Sequence, residues 1–379
     1  MFKEVFITNL SKFLPNDPVS VDEMEGILGM IDNKPSKARR LVLRNNGIKT
    51  RYYAIDKEGN ITHTNAELAA EAIKRLCTDD FKVQEIEMLC SGTSVPDQIM
   101  PSHGMMVHGL INASQIEVFS PAGNCCSSMH GLKIAYLSVM TGNSSNAVVT
   151  GSELLSPILM SKHFRYESRK VEELEEKPIL AFEKDFLRWM LSDGSGAALL
   201  QNKPAKNGIS FKIDWIETFS FANEYEVCMY AGGVKGPNGE FKSYKLIDSK
   251  EWLTDSVFAM KQDVRLLDKV IVEVGIRGLQ RILQKKNYDV SEIDYFLPHI
   301  SSEFFRGRFQ KTLNELNINI PQEKWFTNLT TVGNIGSASI FVMLEELKAS
   351  GKLRKGQKIL LGVPESARFS YACALLTVV

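Results

Sequence analysis

The stretch Asn124-Cys125-Cys126-Ser127-Ser128-Met129-His130-Gly131-Leu132 decides how this chain is read. Upstream of it, Ile116–Phe119 has the character of a short strand. Downstream, Met129, Leu132, Tyr136 and Met140 recur every three or four residues, so Ser127–Met140 is expected as a helix stopped by Gly142. A strand enters and a helix leaves, which puts Cys125 at or just before a helix N-terminus. Unpaired N–H groups and the helix dipole there favour a thiolate. A backbone N–H beside the sulfur could also hold a tetrahedral oxyanion. The plainer alternative is that both cysteines are small buried apolar residues.

Similar alternation extends in both directions. Val83–Leu89, Ala147–Thr150 (ended by Gly151), Ala197–Leu200, Ile209–Ile216, Tyr295–Leu297, Ile359–Gly362 and Phe369–Val379 are expected as strands, with a loop through Pro364. Helices are expected from about Thr254 to Lys286 and over Ser337–Ala349. Alternating strands and helices imply layered α/β structure with parallel or mixed sheets. The polar stretch Gln201–Asn207 is the best connection between two halves, 1–204 and 205–379. The charged run Ser168–Glu176 reads as a solvated helix or loop.

Bulk properties narrow the function. A chain of 379 residues suits two domains or one unit built twice. Lys+Arg and Asp+Glu both number 45, so no nucleic-acid or membrane surface is advertised. Charges at Lys3 and Glu4 argue against a secretory signal, and no apolar run reaches the ~18 residues of a membrane span, so a cytoplasmic enzyme is expected. The six cysteines include no CxxC pair and no zinc-type cluster with histidine. Neighbouring cysteines such as Cys125 and Cys126 rarely bridge each other.

Two further places could carry chemistry. His299 follows the apolar run Tyr295–Leu297 and Pro298, where a strand's carboxyl end would meet a ligand; a satisfied core histidine is the alternative. Gly333-Asn334-Ile335-Gly336-Ser337-Ala338-Ser339 makes a tight turn before a helix, with Asn334 projecting; an ordinary glycine turn and N-cap is the alternative. Asp193-Gly194-Ser195-Gly196-Ala197 reads as a structural turn into a buried strand, since no phosphate-loop spacing follows it.

The order Cys125, Pro298-His299, Gly333-Asn334 resembles β-ketoacyl-ACP synthase III and its relatives in the thiolase superfamily. Arg44–Arg51 resembles that family's R-x-x-G-I-[KR]-x-R element, and Gly151-Ser152-Glu153 its Gly-Ser-Asp/Glu step. Phe13–Asn16 and Ala38–Lys49 look like the dialkylresorcinol-forming subgroup. The resemblance implies a thiolase-like fold, with two similar halves in an α-β-α-β-α arrangement. It implies a Claisen condensation through acyl-Cys125, with His299 and Asn334 donating to the enolate oxygen and the N–H groups of Cys125 and Ala367 forming an oxyanion hole. It implies acyl carrier protein or coenzyme A thioesters as partners, a homodimer, and no metal or redox cofactor. Cys126 is the second choice of nucleophile, because it would shift Gly131 and Gly151 from their expected offsets by one.

Departures from the family are informative. Pro364-Glu365-Ser366-Ala367-Arg368 replaces a glycine-rich loop and brings two charges. The family's coenzyme A-gripping Trp and Arg lack a clear counterpart around Arg40–Asn45, which points to carrier-bound acyl groups. Lys162–Leu191 is longer than usual, and its Phe164, Phe182, Phe186 and Trp189 are expected to shape an acyl pocket or dimer contact. Two other functions fit the same residues. One is an acyltransferase passing the acyl group to an O or N nucleophile, with His299 as base. The other is a non-catalytic acyl-carrier binding module.

Overall fold

The computed structural model describes residues 2–36, 39–164 and 187–379. Lys37, Ala38, the run Ser168–Glu176, Phe182 and Phe186 lie outside the described residues. A nine-stranded sheet is built from β1 (Phe6–Phe13), β2 (Met88–Gly92), β3 (Glu117–Phe119), β4 (Asn146–Glu153), β5 (Gly194–Gln201), β6 (Phe211–Ser220), β7 (Ile293–Pro298), β8 (Lys358–Glu365) and β9 (Ser370–Val378). Its order is β7-β8-β9-β6-β1-β5-β4-β2-β3.

That order repeats itself about the centre. Antiparallel β1-β5-β4 leads to parallel β2 and β3. Antiparallel β6-β9-β8 leads to parallel β7, and a parallel bridge from Phe296 to Trp325 stands where β3 stands. The halves join through β1 and β6, at Phe6 opposite Lys212 and Ile7 opposite Phe211.

Period-two alternation explains the layers. Ala147 and Val149 of β4, Ala198 and Leu200 of β5, and Ile359, Leu361 and Val363 of β8 share one core. That core also holds Met129, Leu132, Ala135 and Val139 of helix α3 (Ser127–Thr141) and Phe341, Leu344 and Leu347 of α6 (Ser339–Ala349). The alternate residues face outward. Val148 and Leu199 pack with α1 (Asn65–Leu76) and α2 (His103–Ile111). Leu360 packs with α4 (Val264–Lys286) and α5 (Arg306–Glu315). The result is the expected α-β-α-β-α stack, with α3 and α6 between the two halves of the sheet.

Several boundaries differ from the sequence reading. Val83–Glu85 is a 3-10 turn, so β2 starts only at Met88. The predicted helix start near Thr254 moves to Val264, where Asp263 caps the chain by accepting from Leu266 N–H at 3.0 Å. Pro364 belongs to β8 and not to a loop. Gly151 does not end β4: the strand runs through it, and glycine is needed there because a Cβ would lie 2.4 Å from Ser337 O. Gly92 likewise admits the start of α3, its Cβ position being 2.7 Å from the Ser127 carbonyl carbon. Asp193 enters no simple turn. Its buried carboxylate accepts from Ala54 N–H at 2.8 Å, from Leu155 and Ser156 N–H at 2.6 and 2.9 Å, and from the Ser156 hydroxyl. Among the described residues, no helix is long and apolar enough to cross a membrane.

Candidate active site

Cys125 precedes Cys126, the N-cap of α3, so its turn hangs at the top of the central layer. His299 follows the end of β7, held by its N–H donating to Gly362 O at 2.8 Å. Asn334 sits in the glycine turn before α6. Its N–H donates to Met190 O at 3.1 Å, and its Oδ1 accepts from Gly336 N–H at 3.0 Å. That last bond commits the amide oxygen to the backbone and leaves the NH2 end as a donor for a ligand. All three side chains line one cavity of about 60 Å³.

The walls of this cavity are mostly apolar. Leu155, Leu187, Met190 and Leu191 close one side, and Met229, Met260, Leu267 and Ile271 another. Ser94, Asn124, Gln262, Ser301 and Ser366 supply polar edges. Of the long Lys162–Leu191 segment, Leu187, Met190 and Leu191 line the cavity, whereas Trp189, expected there, is buried instead in a core with Tyr53 and Leu159. The lining from Met229, Met260 and Gln262 was missed in the sequence. Met229 and Gln262 lie in a short strand pair, Met229–Tyr230 against Lys261–Gln262, with Met260 just before it, too brief to give a periodic signal.

Electrostatics sort the candidates. Burial alone pushes His299 down to about 4, so its imidazole is neutral near pH 7. Its Nε2 is buried without a hydrogen-bond partner among the described residues, which leaves it open to a ligand. The expectation of a favoured thiolate at Cys125 is overturned. Burial first, then the Glu365 and Glu153 carboxylates, push that thiol well above the ordinary range. The N–H groups that would have favoured a thiolate are already used: Glu365 Oε2 accepts from Asn124 N–H at 3.0 Å and from Cys126 N–H at 3.1 Å.

Cys126 points elsewhere. It is fully buried in the central core, and its Sγ donates to Val363 O at 3.2 Å. Ala367 is not on the cavity wall, which is reached by Pro364 of β8 and by Ser366 after it; its carbonyl accepts from Cys228 and Met229 N–H at 2.8 and 3.2 Å. Glu153 is entirely buried, with Oε1 accepting from Ser337 N–H at 3.0 Å and from Ser94 N–H at 3.2 Å.

Residues 283–378 match the family described as 3-oxoacyl-[acyl-carrier-protein] synthase III C terminal. The β-ketoacyl-[acyl-carrier-protein] synthase III of Clostridium novyi is 24% identical over 359 residues, covering 94% of each chain. That of Rickettsia bellii is 25% identical over 365 residues, covering 96% of each. Among solved structures, AbyA1, a tetronic acid condensing enzyme, superposes with a TM-score of 0.76 at 20% identity, over 98% of this chain and 99% of its own. OleA of Xanthomonas campestris, solved with lauric acid and lauroyl-CoA, gives 0.74 at 20% identity over the whole of both chains.

The layered fold is the thiolase-like fold of these solved structures. By its likeness over nearly the whole chain to those synthases, it is a β-ketoacyl-ACP synthase III-like condensing acyltransferase.

Proposed function

We propose that Cys125 is the acyl-carrying nucleophile and that His299 and Asn334 stabilise the enolate of an incoming malonyl thioester. The observation that carries this reading is the convergence of all three side chains on one apolar cavity, with His299 neutral and its Nε2 unpartnered. In the first half-reaction the Cys125 sulfur bonds the acyl carbon, the carbon–sulfur bond to the donor breaks, and the thiol proton leaves with the donor thiol. In the second, the bond to the malonyl carboxylate breaks as CO₂ departs. The electron pair forms an enolate whose oxygen takes hydrogen bonds from His299 and Asn334. That carbon then attacks acyl-Cys125 and releases its sulfur. Cys125 N–H has no acceptor other than its own sulfur among the described residues, which suits an oxyanion donor. Ala367 N–H, also without an acceptor there, is the proposed second donor.

The aliphatic and methionine walls suit an acyl chain, and a likeness to AbyA1 and OleA supports a role in secondary metabolism, of which dialkylresorcinol formation is the version we favour. Carrier-bound thioesters are the proposed substrates on both sides. We propose a cytoplasmic homodimer. Among the described residues edge strand β3 pairs on one side only, and Phe119 stands exposed, as do Met105, Met106 and Leu110 of α2. We also place the division between halves at 204/205, in support of which the strand order repeats on either side of it.

Peptide mass spectrometry after incubation with acyl-carrier and acyl-coenzyme A thioesters, then with malonyl carrier, tests the reading. An adduct on the Cys125 peptide that disappears with CO₂ release and a β-keto product is expected. An adduct that resists malonyl carrier and yields only to an alcohol or amine would replace condensation with simple acyl transfer.

A further inference from the structure

The two central helices are capped across the seam between the halves. β4 ends at Glu153, and β8, its counterpart in the other half, ends at Glu365. Glu153 reaches the N–H of Ser337, at the start of the turn that opens α6. Glu365 reaches the N–H of Cys126, the N-cap of α3. Each strand of one half thus delivers a buried carboxylate to the helix N-terminus of the other. The partial positive charge at a helix N-terminus welcomes an anion, and here both places are filled by the protein itself. Glu153 falls in the Gly-Ser-Glu step expected of the family, whereas Glu365 stands where a glycine-rich loop was expected.

We infer that Glu365 is a positioning residue that holds Cys125 in its thiol form while the site is empty, by occupying the peptide N–H groups on either side of it. The inference rests on Cys125 being the nucleophile proposed above. Asn124 N–H and Cys126 N–H both end on the same Glu365 oxygen, at 3.0 and 3.1 Å, so the turn is pinned with Cys125 between two donated protons. Of the three N–H groups of this turn, that of Cys125 alone has no acceptor besides its own sulfur among the described residues. The groups facing the sulfur are Glu365 from β8, Glu153 from β4, and the neutral His299 beyond β7; His130 of α3 also lies within the field of Glu365. Two carboxylates and no cation among these leave the thiolate unsupported. Activation must then come from the bound donor, with the thiol proton handed on as the acyl group arrives. An empty site so arranged resists alkylation and oxidation, both of which need the thiolate.

The test is the pH dependence of iodoacetamide labelling at the Cys125 peptide of the full chain, with no acyl donor present. In the wild type the midpoint is expected above the ordinary thiol range. Glu365→Gln keeps an acceptor for the two N–H groups but removes the charge. It is expected to lower the midpoint by about one unit and to speed labelling at pH 7.5 about tenfold. Glu365→Asp, which keeps the charge, is expected to stay near the wild-type profile. A Glu365→Gln midpoint equal to the wild type would overturn the inference, leaving Glu365 only structural. So would a wild-type midpoint at or below the ordinary range, a result that needs no variant to fold. Because no acyl transfer is read, a failure here is distinct from a failure of the condensation reading.

Discussion

Gly151 lies so close under Ser337 that a Cβ on it would stand 2.4 Å from the Ser337 carbonyl oxygen. This is where a strand of the first half supports the turn that carries Asn334 in the second. Ser128 Oγ, from α3, donates to the same carbonyl at 2.6 Å. One glycine therefore sets the spacing between both central helices.

Gly151→Ala is expected to cost about 1–3 kcal/mol of stability, since backbone stands opposite the added methyl and cannot swing away. Urea unfolding measures it. A loss of acyl-adduct formation larger than the loss of folded protein would show that the spacing of Cys125 from Asn334 moved too.

Asn334→Ala is expected to leave acylation of Cys125 nearly intact and to slow decarboxylation by about 10²–10³-fold. Cys125→Ala should abolish the adduct, since Cys126 is buried behind it. Separate assays of adduct formation and CO₂ release distinguish the two steps. Full acylation of the Cys125→Ala variant at Cys126 would reverse the assignment.

Acid should destabilise the fold through its buried imidazoles. Burial holds His299 and His103 at about 4. Between the unfolded value of about 6.5 and that point, the unfolded chain binds protons that the folded chain refuses, so stability falls as pH falls. Each group contributes up to about 3 kcal/mol by this route. Glu153 and Asp193, raised by burial, act in the opposite direction. Comparing the wild type with His299→Gln by thermal unfolding from pH 7 to 4 isolates one imidazole. The variant is expected to lose less stability over that window, and parallel curves would refute the account.

Phe119→Asp should weaken self-association by placing a charge on the exposed end of β3 while leaving the buried core untouched. Analytical ultracentrifugation is expected to show a dimer for the wild type and a shift toward monomer for the variant. An unchanged sedimentation profile would remove β3 from the dimer contact.

Much of this was legible in the sequence, for identifiable reasons. α3 was found almost to the residue because Met129, Leu132 and Tyr136 keep a helical period and Gly142 stops it in a left-handed conformation. β4 was found but cut short, because Gly151 looks like punctuation when its purpose is close approach. The order of Cys125, His299 and Asn334 pointed to one site although they lie far apart in the chain, and the structure brings them to one cavity. The charge state of Cys125 was misjudged. A helix N-terminus is visible in a sequence, but the carboxylate that fills it comes from Glu365, 239 residues beyond Cys126, and only the folded sheet brings it there. The apolar roof from Met229 and Met260 was hidden for the same reason, being local in neither period nor motif.

The joint between β1 and β6 pairs Phe6 with Lys212 and Ile7 with Phe211, while the proposed nucleophile Cys125 and the proposed donors His299 and Asn334 come from opposite sides of it. On the proposed mechanism, catalytic competence is thus a property of docking. If either half loosens by a fraction of its contacts, Cys125 parts from His299 and Asn334 while both halves keep their helices and strands. Activity should therefore fade earlier than circular dichroism on mild heating, and turnover becomes the more sensitive thermometer of this fold.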